Sequence, residues 1–82
     1  MVAEDHQETT WENLRLVVER RPEHWQVFVY DFENCEILHT AERPNAHAAK
    51  MASVEFAMAY TYGPGHHLNI SDLAEMLVWE PG

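Results

Sequence analysis

Hydrophobic and polar residues alternate along the first half of the chain with the period of β-strands. Leu14, Leu16 and Val18 are separated by polar residues, apart from Val17, which is the pattern of a half-buried strand. Residues 25–32 are apolar on both alternating sets. This is typical of a strand at the centre of a sheet, or of one that offers an apolar face to a partner.

Two turns separate these strands from each other and from a third strand. Pro22 presets the backbone of the first turn, over residues 21–24. In the second turn, over residues 31–36, Asn34 is the residue best able to take a left-handed conformation. Residues 37–40 then complete a three-stranded antiparallel meander.

An alanine-rich helix follows the third strand. Pro44 suits its first turn, Asn45 can cap it, and Gly63 with the proline and glycine after it ends the helix. At about 100° per residue, six residues share one face, and the four alanines among them let the helix lie close to the sheet. These residues are Ala48, Ala49, Ala52, Phe56, Ala59 and Tyr60.

A second, short helix is predicted to start at Ser71, whose hydroxyl can cap the first turn. Its buried face would be Leu73, Met76 and Leu77. The predicted architecture is therefore β-β-β-α-α, of the α+β class, with the meander packed on the alanine-rich helix.

The first residues are polar and acidic with no apolar period, so residues 1–10 are predicted to be a flexible leader and residues 11–82 a single domain. In so small a fold, dimerisation is one source of added stability. The lone cysteine, Cys35, has no partner for an internal disulfide, and no apolar run approaches the ~20 residues that span a bilayer. We therefore expect a cytoplasmic protein.

The charge of the chain restricts its partners. Fourteen acidic residues against five basic ones give a formal net charge of −9. A field of that sign repels phosphate backbones and anionic lipid headgroups, so neither nucleic acid nor membrane is an expected partner. A basic protein suits this charge better.

Few residues suggest catalysis or metal binding. His66 and His67 are adjacent in a loop, but a structural zinc site needs four ligands and the other histidines are scattered. Glu55 lies at the margin of the apolar helix face, and a side chain that reaches solvent is favoured over a buried acid. No nucleophile–base pair or phosphate loop is suggested by spacing, so we predict no enzyme, no cofactor and no metal.

Three arginines are expected to gather at one end of the sheet, because the first turn and the end of the third strand share that end. Arg20, Arg21 and Arg43 could form a local anion site beside the start of the helix. Neighbouring glutamates would neutralise it, and this second interpretation is favoured.

Three segments resemble the partial RNase H-like module of the HicB antitoxins, over about residues 13–60. They are Leu14–Glu19, Trp25–Cys35 and Ala48–Ala52. Asp31 and Cys35 match a corner motif of that family in type and spacing. The resemblance implies a non-enzymatic module that masks a small, basic, RNA-cleaving toxin.

We therefore predict a small protein-interaction module, with Phe28, Tyr30 and Phe32 on an exposed sheet face that binds a partner. Trp25, Val27 and Val29 would line the core, although the pattern alone also allows the reverse assignment. One alternative is a nucleic-acid-associated domain that uses the sheet aromatics as a stacking surface. Another is a small-ligand or metal-binding protein, or an enzyme, centred on Glu55 and the histidines.

Overall fold

The structure is a computed structural model that describes residues 5–63 and 70–81. Over these residues it is an α+β protein with an antiparallel sheet and two helices, as predicted. The prediction of three strands is wrong, because the sheet has five within these ranges, in the order β4-β3-β2-β1-β5. In chain order the elements are β1 His6–Trp11, β2 Leu14–Arg20, β3 Trp25–Asp31, β4 Glu36–Arg43, α1 Ala46–Tyr62, α2 Ile70–Met76 and β5 Glu80–Pro81.

Strand β1 begins within the segment that was expected to be a flexible leader and ends one residue beyond it. It pairs with β2 along its whole length, from His6 opposite Glu19 to Trp11 opposite Leu14. Backbone hydrogen bonds hold such a strand to its neighbour whether or not its side chains are apolar. The prediction of a leader over residues 1–10 is therefore wrong from His6 onward.

The core lies between the sheet and α1. Leu16 faces Val29 and Val18 faces Val27 across β2 and β3, so these side chains share one face of the sheet. All four are 0% exposed and pack with α1, which confirms the core assignment of Val27 and Val29. We call this side the helix face and the opposite side the open face.

Helix α1 begins and ends where the sequence predicts. The side chain of Asn45 accepts a hydrogen bond from the backbone N–H of Ala48 at 2.8 Å, and Gly63 follows the last turn with a φ of 86°. A positive φ of this size is costly for residues other than glycine. Gly63 can adopt it at little cost, so the chain leaves the helical conformation at this residue.

The buried side of α1 is rotated from the predicted one. Ala49 and Ala52 are buried as expected, but Ala59 is exposed and Tyr60 is 55% exposed. The reason is that α1 is covered from two directions, by the sheet and by α2. The remaining buried residues of the helix are Ser53, Val54, Ala57 and Met58.

Helix α2 packs against α1 rather than against the sheet. Ala74 is fully buried, and Leu73 and Leu77 are partly buried against the core. The prediction that Met76 is buried is wrong, because its side chain is 75% exposed. None of the helices in the described ranges is long and apolar enough to cross a membrane.

The turn between β3 and β4 is held by an aspartate. Asp31 accepts hydrogen bonds from the backbone N–H groups of Glu33 and Asn34, and from the side-chain amide of Asn34 at 2.9 Å. The left-handed residue is Cys35, with a φ of 55°, and not Asn34 as predicted.

Candidate interaction surface on the open face

The open face is formed by the side chains that alternate with those of the core. Both helices contribute to the core on the helix face, so neither of them covers this side of the sheet. The pairing registers place three residues from each of the four long strands on it. They are His6, Glu8 and Thr10 from β1, Arg15, Val17 and Glu19 from β2, Gln26, Phe28 and Tyr30 from β3, and Ile37, Thr40 and Glu42 from β4.

An apolar patch occupies one part of this face. The rings of Phe28 and Tyr30 stack with centroids 6.2 Å apart, and Ile37, which faces Tyr30 on β4, is 54% exposed. We call these three residues the apolar patch. Val17, which faces Phe28, is only 4% exposed and forms the floor beside it.

The predicted partner-binding residues are divided between two positions. Phe28 and Tyr30 lie together on the open face, away from the core. Phe32 lies beyond the end of β3, in the turn, and is 46% exposed. Ile37 was not predicted, because a bulge near Val29 and Tyr30 decides which residues of β4 face this side.

Carboxylates cross the same face beside the apolar patch. Because Glu80 of β5 faces Glu8 of β1, it also lies on this side of the sheet. We call Glu8, Glu19, Glu42 and Glu80 the acidic strip. Arg15 is the one arginine that the strand registers place on the open face. The open face therefore carries a net negative charge.

The acidic strip contains a small ionic network. His6 Nε2 lies 2.8 Å from Glu8 Oε2, and its Nδ1 lies 3.6 Å from Glu19 Oε1. Arg15 donates to the other carboxylate oxygen of Glu8. The hydrogen bond from His6, together with the weaker effect of Arg15, lowers the pKa of Glu8 despite its partial burial.

This lowered pKa predicts a pH-dependent contribution to stability. Glu8→Gln should lower the free energy of unfolding by roughly 0.5–1 kcal/mol at pH 7, because a partly exposed ion pair is screened by solvent. A depressed carboxyl pKa stabilises the fold fully above its ordinary value of 4.5, and the effect is lost as the pH falls through the folded value. Urea unfolding of both proteins between about pH 3 and pH 7 measures this difference.

Glu55→Gln is the matched control for this experiment, since Glu55 is exposed on α1 and lies outside the ionic network of Glu8. It removes the same charge and should change the free energy of unfolding little at any pH. An equal loss for Glu8→Gln at both ends of the pH range would show that the ionic network is not the source.

The three arginines do share one end of the sheet, as Arg20 and Arg43 both face Trp25 across their strands. Arg20 lies 3.4 Å from a carboxylate oxygen of Asp5, and Arg21 lies 3.2 Å from one of Glu19. Two of the three positive charges are thus compensated within the chain. This favours the predicted neutralisation over an anion site.

Among the residues that the structure describes, the remaining candidates for chemistry do not come together. Glu55 is exposed on α1, and His39 stacks on Phe56 at 4.5 Å on the helix face. Within residues 5–63 and 70–81, no group of three or more His, Cys, Asp or Glu side chains could hold a metal ion. His66 and His67 lie outside the described residues.

Comparisons of this chain with protein-family models, curated proteins and solved structures give no match. The resemblance of residues 13–60 to the HicB-like module therefore stays a prediction.

Proposed function

We propose that this chain is a non-enzymatic interaction module that binds a basic protein through its open face, in the manner of a HicB-like antitoxin. One observation carries the proposal: an apolar patch adjoins a strip of carboxylates on a sheet face that neither helix covers. Phe28 and Tyr30 are partly exposed and Ile37 is exposed, and accessible apolar residues bordered by charge are typical of protein-binding surfaces.

The two parts of the surface would have different roles. Burial of Tyr30, Phe28 and Ile37 against a partner would supply affinity, since removal of apolar area from water is favourable by about 25 cal/mol per Å². The acidic strip would select basic partners and speed their encounter, because complementary charges steer association. This binding should therefore weaken as salt is raised.

A matched set of variants tests the proposal. Tyr30→Lys places a positive charge within the apolar patch, and Thr10→Lys places one on the same face at an exposed position of β1. Tyr60→Lys is the control, because Tyr60 is 55% exposed on α1, which packs on the other side of the sheet. Circular dichroism confirms that each variant is folded before binding is compared.

Each variant is immobilised and exposed to nuclease-treated extract of the native host, and the retained proteins are quantified by mass spectrometry. We expect wild type and Tyr60→Lys to retain the same basic protein, and the two open-face variants to lose about tenfold in affinity for it by calorimetry. The proposal would be contradicted if the retained protein bound Tyr30→Lys and Thr10→Lys as tightly as wild type. It would also be contradicted if no basic protein were retained.

Nucleic-acid binding is the second candidate, and the stacked rings of Phe28 and Tyr30 on a sheet face are what favours it. Extract without nuclease treatment distinguishes the two. RNA captured by wild type and Tyr60→Lys but lost in Tyr30→Ala would support this alternative. The four carboxylates of the acidic strip argue against it, because they repel phosphates.

A further inference from the structure

Strand β4 forms one edge of the sheet. It is eight residues long and pairs with β3 on one side, while no strand in the described ranges pairs with its other side. The opposite edge differs, because β5 pairs with β1 at Gln7 and Glu8. A long edge strand presents a row of backbone donors and acceptors that can pair with another strand.

The charges at the two ends of β4 lack partners. Three of the four arginines lie within 4 Å of a carboxylate. Arg43 instead donates a hydrogen bond to the backbone carbonyl of Glu42, and no carboxylate of the described residues lies within 4 Å of its guanidinium group. At the other end, Glu36 faces Asp31 on β3, so two like charges are neighbours. Like charges directly opposite each other on a sheet are destabilising.

We propose that β4 pairs with β4 of a second copy of this chain, antiparallel, around a two-fold axis at Thr40. The register follows from the bulge. His39 faces Val29 and Ile37 faces Tyr30, so Leu38 is the extra residue of β4. The eight residues of the strand less this one leave seven positions, and Thr40 is the fourth of them.

This register brings the unpartnered charges together. Pairing outward from Thr40 places Glu36 opposite Arg43 of the second copy, and symmetry repeats the pair at the other end of the interface. Both residues lie on the helix face, because Glu36 faces Asp31 and Arg43 faces Trp25. Glu36 then has a cation on one side to offset Asp31 on the other. At the axis, Thr40 faces its own copy, and cross-strand threonine pairs are favourable.

The resulting assembly would be one continuous sheet made from two five-stranded sheets. The two-fold axis is perpendicular to this sheet, so rotation about it does not turn either copy over. The open faces of the two copies therefore lie on the same side of the continuous sheet. Phe28 and Tyr30 of the apolar patch are therefore left accessible, while Ile37 lies opposite Glu42 of the second copy across the interface. The dimer does not depend on the proposed function, and either can fail without the other.

A charge-reversal cycle tests this interface. Glu36→Arg and Arg43→Glu each place like charges at both ends of the interface, so we expect each to raise the dimer dissociation constant about tenfold in sedimentation velocity. The double variant restores opposite charges and should return the constant to near the wild-type value. Glu80→Arg makes the same charge change on β5 and is the control.

A second measurement covers the case in which a single variant folds poorly. Hydrogen exchange of wild-type amides in β4 should slow as protein concentration rises, while exchange in β1 should not. A wild-type chain that stays monomeric to about 1 mM would overturn the proposal, since any dimer would then have a dissociation constant above the millimolar range. The proposal would also be overturned if neither single reversal raised the dissociation constant of the dimer. The same holds if the double variant failed to return that constant to near the wild-type value.

Discussion

Replacement of Leu16 by alanine is expected to lower the free energy of unfolding by about 2–5 kcal/mol. Leu16 is 0% exposed at the centre of the sheet, where it faces Thr9 on β1 and Val29 on β3 and packs beneath α1. Truncation removes buried methyl groups and leaves a cavity that a close-packed interior fills only partly. A domain of this size has a free energy of unfolding of only a few kcal/mol. This single change should therefore abolish most of that stability.

Urea unfolding followed by tryptophan fluorescence and by circular dichroism measures the effect. Val78→Ala is the control, because Val78 is 76% exposed and its truncation should change stability by less than about 0.5 kcal/mol. Equal losses for the two variants would mean that Leu16 does not lie in the core described above.

Replacement of Ala57 by leucine is expected to destabilise the fold by about 1–3 kcal/mol. Ala57 is 0% exposed on α1, so a larger side chain there must displace the packed neighbours. Ala59→Leu, two residues along, is the matched control, since Ala59 is exposed and leucine is nearly as good a helix former as alanine. Thermal unfolding by circular dichroism compares the two.

This pair of variants also separates two orientations of α1. If the helix lay on the sheet through the alanine face that the periodicity alone predicts, Ala59→Leu would be the destabilising change and Ala57→Leu the tolerated one. The structure requires the opposite order, because Ala57 belongs to the core and Ala59 does not. The reversed result would show that α1 is rotated from its described position.

The two proposed interactions use different parts of one sheet. The open face offers side chains, so its specificity depends on the apolar patch and the acidic strip. The edge of β4 offers backbone groups, with Glu36 and Arg43 to set the register. A dimer built through the edge would carry two copies of the open face on one side, and so could bind two partner molecules at once.

Much of the fold could be predicted from local signals in the sequence. The alternation of Leu14, Leu16 and Val18 indicates β2 and its buried side, and Val27 and Val29 lie on the core face of β3 as expected. The residues that cap α1, Asn45 and Gly63, predict its ends correctly. These features depend on the backbone conformation of a few consecutive residues, which neighbouring side chains largely determine.

The candidate site was only partly predictable. Phe28 and Tyr30 could be placed on one face by their alternation, and the structure puts both on the open face. The acidic strip could not be predicted, because Glu8 and Glu80 lie at opposite ends of the chain and meet only when β5 pairs with β1. Ile37 joins the patch only because of a bulge in β4.

By itself, the sequence determined the α+β class, the positions of β2, β3 and α1, and which side of β2 is buried. The tertiary structure decided the rest: that the polar segment His6–Trp11 is a strand, which side of α1 is covered, and which charges become neighbours. The physical reason is the range of the interactions. Caps and alternating side chains act within a few residues, whereas strand pairing and helix packing join residues that are far apart in the chain.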